Sequence, residues 1–285
     1  MGIESRSTLL TAADGTSLHV TDFFSPQDAS AHIVIMHGLG EHSGRYQHVA
    51  AFFCARGFAV RTYDHRGHGR SGGARGDVPN VHALLDDAAI VMADWMSGKD
   101  TPATAPYLLG HSMGGLFAAR FAIANTMPLA GLILSSAALA LPLNIAQKLL
   151  LSTLTTLAPG LAVSNGLKQR YLSHDNAVVK AYQQDPLVHN KITARLLNAM
   201  LAAITVTERE AAQLRLPTLL IFAGDDHLVD PRGSEAFFNH LTDGVGRRHR
   251  YDALYHEIFN ESANDAARVF ADVGQWLDDQ ARHAT

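Results

Sequence analysis

Apolar positions along the chain follow two alternating patterns. Short, uninterrupted apolar runs, such as Ala31–Met36 and Phe58–Tyr63, are typical of buried strands. Longer segments between them repeat their apolar residues with helical spacing, and the last of these segments places Ala266, Phe270 and Val273 on one face. The alternation predicts an α/β fold with a mostly parallel sheet that is covered by helices.

The predicted strands are spread along the whole chain. They are 17–23, 31–36, 58–63, 106–109, 131–134, 217–222 and 248–251. Segment 17–23 alternates between polar and apolar residues, which favours a strand at the edge of the sheet. A helix that ends near Ala55 follows the second strand, and Gly57 fits the left-handed conformation common after a helix C-terminus.

The alternation of strands and helices stops between Ser135 and Pro217. Residues 139–208 are predicted as helices and loops without a strand, which we interpret as a helical cap inserted into a core formed by residues 1–138 and 209–285. The first half of the cap is very apolar, and no Asp or Glu occurs from 101 to 174. Such a helix must pack over the core, line an acyl pocket or contact lipid.

Three leucines of this apolar helix are the predicted contacts of an acyl chain. They are Leu149, Leu150 and Leu154. Packing of the helix over the core and contact with an acyl chain are compatible, because a lid can pack when closed and expose apolar surface when open.

The strongest chemical signal is the sequence Gly110-His111-Ser112-Met113-Gly114, which follows a predicted strand and precedes a helix. Gly-x-Ser-x-Gly in that setting forms a nucleophile elbow, a strained turn that exposes the serine hydroxyl. The glycines allow strand and helix to approach closely. We therefore predict Ser112 as a nucleophile and His111 as a packing or hydrogen-bonding neighbour.

A serine nucleophile needs a histidine base and a carboxylate that orients the base. In α/β-hydrolases these residues follow in the order Ser, Asp or Glu, His. Asp226 comes directly after a predicted strand, and His256 lies in the loop before the final helix. We predict Asp226 as the orienting acid, with Asp225 as its rival and Asp230 as a residue that caps the next helix or closes the turn.

Attack by a serine on a carbonyl group forms a tetrahedral intermediate with a negatively charged oxygen, which needs backbone N–H donors that are already in place. One is predicted at Met113, directly after the nucleophile. The other is assigned to Leu39, in the loop that follows strand 31–36.

Composition excludes several classes of protein. The net charge is −4 and the arginines are scattered, so nucleic acid is not an expected partner. The N-terminus lacks the apolar centre of a signal peptide, and no apolar run is long enough to span a membrane. The single cysteine, Cys54, fits core packing, and a reducing cytoplasm is the expected compartment. The spacing of His65 and His68 could suggest a metal site, but their glycine-rich setting favours a rigid loop, so no metal is expected.

Four segments resemble one family. HGLGEHSGRY at 37–46, DHRGHGRSGG at 64–73, GHSMGG at 110–115 and DPLVH at 185–189 are similar to segments of monoacylglycerol lipase-like and lysophospholipase-like serine hydrolases. With the acid and histidine loops, the resemblance covers nearly the whole chain. It implies an eight-stranded α/β-hydrolase core with a helical cap, and hydrolysis of a single-chain lipid ester without a cofactor.

The resemblance also draws attention to the alcohol side of the site. Glu41 and Arg45 are expected to form an ion pair that shapes this side, and both are also predicted to contact the substrate. Some members of the family carry a second histidine three residues after the catalytic one and use it to bind glycerol. Phe259 occupies that position here. Phe259 is itself predicted to contact the substrate. Because no histidine stands at this position, the chain cannot bind glycerol in that way.

The residues leave several functions open. The main hypothesis is release of a fatty acid from monoacylglycerol or a similar lipid ester, with transient contact between the cap and a membrane surface. The alternatives are a lysophospholipase, an esterase of small esters, a proline-releasing peptidase and a binding module without activity. An epoxide hydrolase or dehalogenase would need an acid in place of Ser112.

Overall fold

The computed structural model describes residues 3–24, 29–98, 101–141 and 143–283. The strands are β1 (Glu4–Thr11), β2 (Ser17–Phe24), β3 (Ala31–Met36), β4 (Phe58–Tyr63), β5 (Tyr107–His111), β6 (Gly131–Ser135), β7 (Val163–Ser164), β8 (Lys191–Ile192), β9 (Thr218–Ala223) and β10 (Gly246–Tyr251). The α-helices are α1 (Gln47–Cys54), α2 (Ala83–Ser97), α3 (Met113–Ala124), α4 (Ile145–Leu157), α5 (Asn176–Gln184), α6 (Ala194–Glu210), α7 (Pro231–His240) and α8 (Ala263–His283).

Eight of these strands form one sheet in the order β1-β2-β4-β3-β5-β6-β9-β10. The strands from β4 to β10 in this order are parallel, whereas β1 and β2 are antiparallel to their neighbours. The predicted eight-stranded, mostly parallel sheet is confirmed. Parallel strands align their carboxyl ends at one edge of the sheet, and loops at that edge carry the chemistry in open α/β folds.

The first strands differ from the prediction. Segment 17–23 is predicted at the edge, but β2 has β1 on one side and β4 on the other. The edge strand is β1, which is almost fully exposed and pairs with β2 along its whole length, from Glu4 with Phe24 to Thr11 with Ser17. Because β1 buries little, its sequence lacks the apolar run that identifies the inner strands.

Apolar clusters pack on both faces of the sheet, as the alternation along β3 illustrates. Val34 and Met36 point into the cluster formed with α2, α3 and α6. Ile33 and Ile35 point into the opposite cluster, formed with α1 and α8. Cys54 is buried in this second cluster, as its predicted packing role requires.

The cap lies between β6 and β9 and contains α4, α5 and α6. It is predicted to lack strands, but Val163–Ser164 pairs antiparallel with Lys191–Ile192. Two-residue strands carry no periodic pattern, so sequence reasoning cannot find them. Within the cap, α6 buries Leu196 and Met200 against the core, whereas α4 has no buried residue. In the described part of the chain, no helix combines the length and apolar character that a membrane span needs.

Candidate active site

Ser112 lies in the sharp turn between β5 and α3. Its backbone has φ 54° and ψ −121°, a conformation that non-glycine residues adopt only under constraint. Its N–H donates to Ser135 O at 3.0 Å, and its carbonyl accepts from Ala138 N–H at 2.9 Å. A Cβ at Gly114 would overlap the carbonyl oxygens of Met36 and His37. Only glycine lets the helix start this close to β3, as the elbow pattern predicts.

Asp226 and His256 are brought together by the loops after β9 and β10. Asp226 Oδ2 lies 2.7 Å from His256 Nδ1, and both side chains are almost fully buried. The other oxygen of Asp226 accepts N–H groups from Leu228 at 2.8 Å and Val229 at 2.9 Å. Burial alone would lower the pKa of His256, but the charge of Asp226 and its hydrogen bond outweigh burial and raise that pKa above its usual 6.5.

The neighbouring acids have other partners. Asp225 is half exposed and lies 3.1 Å from the ring of His227. Asp230 accepts the backbone N–H of Arg232 at 3.0 Å and caps α7, as predicted. The geometry therefore joins Asp226, and not Asp225, to His256.

The loop after β3 passes close to Ser112. A Cβ built on Gly38 would lie 3.2 Å from Ser112 Cβ, and Leu39 follows Gly38 directly. Met113 is the first residue of α3, so its N–H has no acceptor within the helix. The two predicted oxyanion donors, at Leu39 and Met113, thus belong to two backbone segments that both pass close to Ser112.

Arg45 lies between two buried carboxylates beside this loop. It reaches Glu41 at 2.5 Å, and both its terminal nitrogens bind Glu257 at 2.6 Å. Glu41 also accepts Gly38 N–H at 2.6 Å and the Tyr46 hydroxyl at 2.7 Å. Burial alone would raise the pKa of Glu41, but Arg45 and nearby polar groups hold it at about 2. The predicted ion pair between Glu41 and Arg45 is present.

Two adjoining cavities lie between the core and the cap. The smaller, of about 50 Å³, is lined by Ser112 and His256 together with Glu41, Glu257 and Tyr182. The larger, of about 460 Å³, lies beneath the cap. Five apolar residues line both cavities and form a hydrophobic neck between them: Leu39, Leu141, Leu167, Met200 and Leu228. The smaller cavity, at the serine, therefore adjoins the larger one through apolar side chains.

The predicted acyl contacts are only partly in place. Leu150 and Leu154 line the larger cavity. Leu149 is 69% exposed on α4 and lines neither of these two cavities. Phe259 is buried on the other side of the histidine loop, where its ring packs 5.0 Å from that of Phe270. Neither Leu149 nor Phe259 lines either of the two cavities. Sequence spacing gives neither the orientation of a cap helix nor that of a loop side chain.

Two further residues at the site are not predicted from the sequence. Leu172 and Tyr182 of the cap line the smaller cavity, and the Tyr182 ring lies 4.7 Å from the Arg45 guanidinium. Neither belongs to a recognisable motif, and both reach the site only through the docking of the cap. His111 lies beside Ser135 Oγ at 3.2 Å, and its ring is 4.7 Å from that of His256, in line with the predicted neighbouring role.

The sequence matches a known family and several of its relatives. Residues 27–263 match the family described as serine aminopeptidase, S33. A monoacylglycerol lipase of Mycolicibacterium smegmatis is 33% identical over 90% of this chain and 92% of its own. A phospholipase of Bacillus subtilis is 34% identical over 84% of this chain and 94% of its own. An uncharacterized abhydrolase domain-containing protein of Dictyostelium discoideum is 32% identical over 98% of this chain, which spans 30% of that longer protein.

Solved structures share the same architecture. The crystal structure of a monoacylglycerol lipase from Paleococcus ferrophilus superposes with a TM-score of 0.82 at 28% identity, covering 98% of this chain and all of that one. Family, relatives and architecture agree with the mostly parallel eight-stranded sheet and its flanking helices. The chain therefore belongs to the serine aminopeptidase, S33, family and is a monoacylglycerol lipase-like hydrolase of the α/β-hydrolase fold.

Proposed function

We propose that this protein hydrolyses monoacylglycerols, or esters of one fatty acid with a similar neutral alcohol. The observation that carries the proposal is the position of Ser112 in a small cavity that also holds the carboxylates of Glu41 and Glu257 and adjoins, through apolar side chains, a cavity of about 460 Å³ beneath the cap. The larger cavity has room for an acyl chain, and the carboxylates lie where the alcohol would leave. Ligand sites of this kind are largely apolar with a few polar groups that fix orientation.

The chemistry follows from the hydrogen bond between Asp226 and His256. Asp226 binds Nδ1 of His256 and leaves Nε2 to act as the base. Ser112 Oγ attacks the ester carbonyl carbon while its proton passes to Nε2. The bond from carbon to the alcohol oxygen then breaks, and Nε2 returns the proton to the leaving alcohol.

The second half of the reaction regenerates the enzyme. Water attacks the acyl-Ser112 ester while His256 removes a proton from the water. Collapse of the tetrahedral intermediate releases the fatty acid and returns a proton to Ser112 Oγ. In both halves the N–H groups of Leu39 and Met113 donate to the oxyanion, and one such donor contributes a factor of about 10² to 10³ in rate.

The charged groups of the smaller cavity favour a neutral leaving alcohol. Two buried carboxylates, Glu41 and Glu257, share one guanidinium, that of Arg45. The three groups together carry a net negative charge, which repels a phosphate group placed nearby. This favours a glycerol-like alcohol over the phosphate-bearing headgroup of a lysophospholipid.

The same carboxylates are poorly suited to anchor the amino group of a peptide. Glu41 already accepts hydrogen bonds from Gly38, Tyr46 and Arg45. Glu257 accepts two from Arg45 and one from Asn260 at 2.9 Å. An ammonium group would have to replace these internal partners. The proposal therefore does not include aminopeptidase activity, despite the description of the family.

The decisive experiment compares substrates that share one medium-length acyl chain. We expect rapid turnover of the monoacylglycerol, slower turnover of the matching lysophosphatidylglycerol, and no hydrolysis of proline p-nitroanilide. The Ser112→Ala variant, which lacks the proposed nucleophile, is the negative control for each substrate. Faster turnover of the lysophospholipid, or release of p-nitroaniline that Ser112→Ala abolishes, would contradict the proposal.

We further propose that α4 brings the cap to a lipid surface. Its side chains Ile145 and Leu157 are 86% and 78% exposed, and Leu149 and Leu150 are exposed as well. Lys148 is the only charged residue of the helix. An apolar helical surface of this size supports binding at a membrane interface, where substrates with long acyl chains reside.

The membrane proposal has a matched pair of variants on one helix. Leu149→Glu adds a charge to the exposed apolar face, whereas Thr155→Glu adds the same charge at an exposed position on the side of the helix that faces Asn198. We expect Leu149→Glu to reduce sedimentation with phosphatidylcholine vesicles and turnover of monoacylglycerol in them. Hydrolysis of a soluble short-chain ester should be unchanged in both. Equal vesicle binding by the two variants would exclude α4 as the contact.

A further inference from the structure

One segment of the cap runs directly alongside the loop that carries His256. The carbonyl of Tyr171 accepts the N–H of His256 at 3.4 Å, and the carbonyl of Leu172 accepts the N–H of Glu257 at 2.8 Å. The backbone of His256 is therefore tied to the cap and not only to the core. We call residues 171–174 the seam segment.

Two rings of the seam segment stack on the chain neighbours of Asp226 and His256. The Tyr171 ring lies 4.0 Å from that of His227, which follows Asp226, with the planes inclined by 24°. The His174 ring lies 3.6 Å from that of Tyr255, which precedes His256, with an inclination of 20°.

Edge contacts close these two stacks into one cluster of four rings. The ring centres of Tyr171 and Tyr255 lie 5.6 Å apart, and those of His227 and Tyr255 lie 5.7 Å apart. Both pairs are arranged edge to face. Such aromatic arrangements have defined geometry and contribute beyond the area that they bury. The cluster therefore connects the loops of Asp226 and His256 to each other through the cap.

A buried carboxylate joins the seam segment to the histidine loop a second time. The side chain of Glu261 is fully buried. It accepts Tyr255 N–H at 2.6 Å, and it binds both the backbone N–H and the Nδ1 of His174 at 2.9 Å. Ser173 Oγ also lies 3.3 Å from it. Because a buried carboxylate without partners is costly, these contacts hold the cap and the loop in one arrangement.

We propose that Tyr171 and His174 are positioning residues for the reaction, which act through His227 and Tyr255 on the hydrogen bond between Asp226 and His256. This inference rests on the proposed roles of those two residues. Asp226 and His256 lie on separate loops, and a displacement of about 1 Å between reacting groups can cost about a hundredfold in rate. The seam segment thus contributes to the chemical step for every substrate, whereas residues that only line the acyl cavity affect long-chain substrates.

The test uses p-nitrophenyl acetate, whose short acyl group does not need the larger cavity, beside a long-chain monoacylglycerol. We expect Tyr171→Ala and His174→Ala to lower kcat at least tenfold on both substrates, with KM changed less than twofold. Tyr171→Phe should restore kcat, because it keeps the ring, and the hydroxyl contacts only Arg170 among the described residues. Asn198→Ala, which removes a hydrogen bond to Thr155 inside the cap, is the control.

A second measurement separates positioning from a loss of stability. The proton between Asp226 and His256 gives a downfield NMR resonance, and we expect Tyr171→Ala and His174→Ala to shift or broaden it while the far-UV circular dichroism is unchanged. Tyr171→Leu and His174→Asn replace any alanine variant that fails to fold. Folded variants with unchanged kcat on p-nitrophenyl acetate and an unchanged resonance would overturn the inference. The unmodified protein could hydrolyse p-nitrophenyl acetate but not monoacylglycerol. That result would contradict the proposed substrate and leave the positioning role of the seam segment intact.

Discussion

Arg45 binds both carboxylate oxygens of Glu257, each at 2.6 Å, and through the same guanidinium it reaches Glu41. Glu257 directly follows His256, and Glu41 holds the N–H of Gly38, which precedes Leu39. One cation therefore links the loop of the proposed base to the loop of the proposed oxyanion donor. Its charge is also what makes the burial of two carboxylates tolerable.

Removal of this cation should be strongly destabilising. Arg45→Met leaves two buried carboxylates without a counter-charge, and breaking a buried ion pair costs about 3–5 kcal/mol. We expect the free energy of unfolding, measured in urea, to fall by an amount of this order. Arg232→Met, which breaks the exposed pair with Asp230, should leave it nearly unchanged. Equal losses in the two variants would show that burial does not set the importance of Arg45.

The parts of the molecule predicted from sequence are those fixed by short-range patterns. The strained turn at Ser112 needs small residues two positions away on either side, so five consecutive residues identify it. The inner strands, such as β3 and β9, are recognisable because both of their faces are buried. The exposed strand β1 is stabilised by pairing with β2, and its own sequence gives no comparable signal.

Contacts between the cap and the core are what sequence reasoning misses. Tyr171 and His227 are far apart in the chain, and neither belongs to a motif, yet their rings stack. Leu149 and Leu150 are adjacent and equally apolar, but only Leu150 lines the larger cavity. Which residues stack and which line the cavity depends on how the cap docks against the core. This docking follows from many weak contacts together and not from a local sequence pattern.

The choice between adjacent acids is directly testable. Asp226→Asn keeps the shape of the side chain but removes the charge that orients and stabilises the His256 imidazolium. We expect kcat for a monoacylglycerol to fall by about 10³ to 10⁴. Asp225→Asn should change kcat less than twofold, because Asp225 is half exposed and contacts His227 rather than His256. The reverse pattern would place the orienting acid at Asp225.

The pH dependence of activity should report His256. The base must be neutral to accept the proton of Ser112, so kcat/KM should rise with pH as His256 loses its proton. The charge and hydrogen bond of Asp226 raise the pKa of His256, so the midpoint of this limb should lie above 6.5. Rates measured with p-nitrophenyl acetate on the acid side test this. A midpoint well below 6.5 would show that burial outweighs Asp226.

Acid should unfold the protein through a different set of histidines. Burial, together with the nearby His189, whose ring lies 4.7 Å away, lowers the pKa of His68 to about 3. Burial likewise lowers the pKa of His37 and of His111 to about 4. Asp64 and Arg66 are the other groups that act on His68, together with His65. These rings are neutral in the folded chain at pH 5, whereas the unfolded chain takes up protons below about pH 6.5.

The sign of the effect follows from proton uptake. The unfolded chain binds more protons than the folded one between pH 6.5 and the lowered pKa, so the free energy of unfolding falls as the pH falls through this window. For His68 the loss between pH 8 and pH 5 is about 2 kcal/mol. His68→Asn has no titrating group at this position. We therefore expect its free energy of unfolding to fall by about 2 kcal/mol less than that of the unmodified protein over the same pH range. The exposed His82 gives the control His82→Asn, because its ring is in water in both states. Urea unfolding at pH 8 and pH 5 measures the differences, and an equal pH dependence in His68→Asn and the unmodified protein would contradict this account.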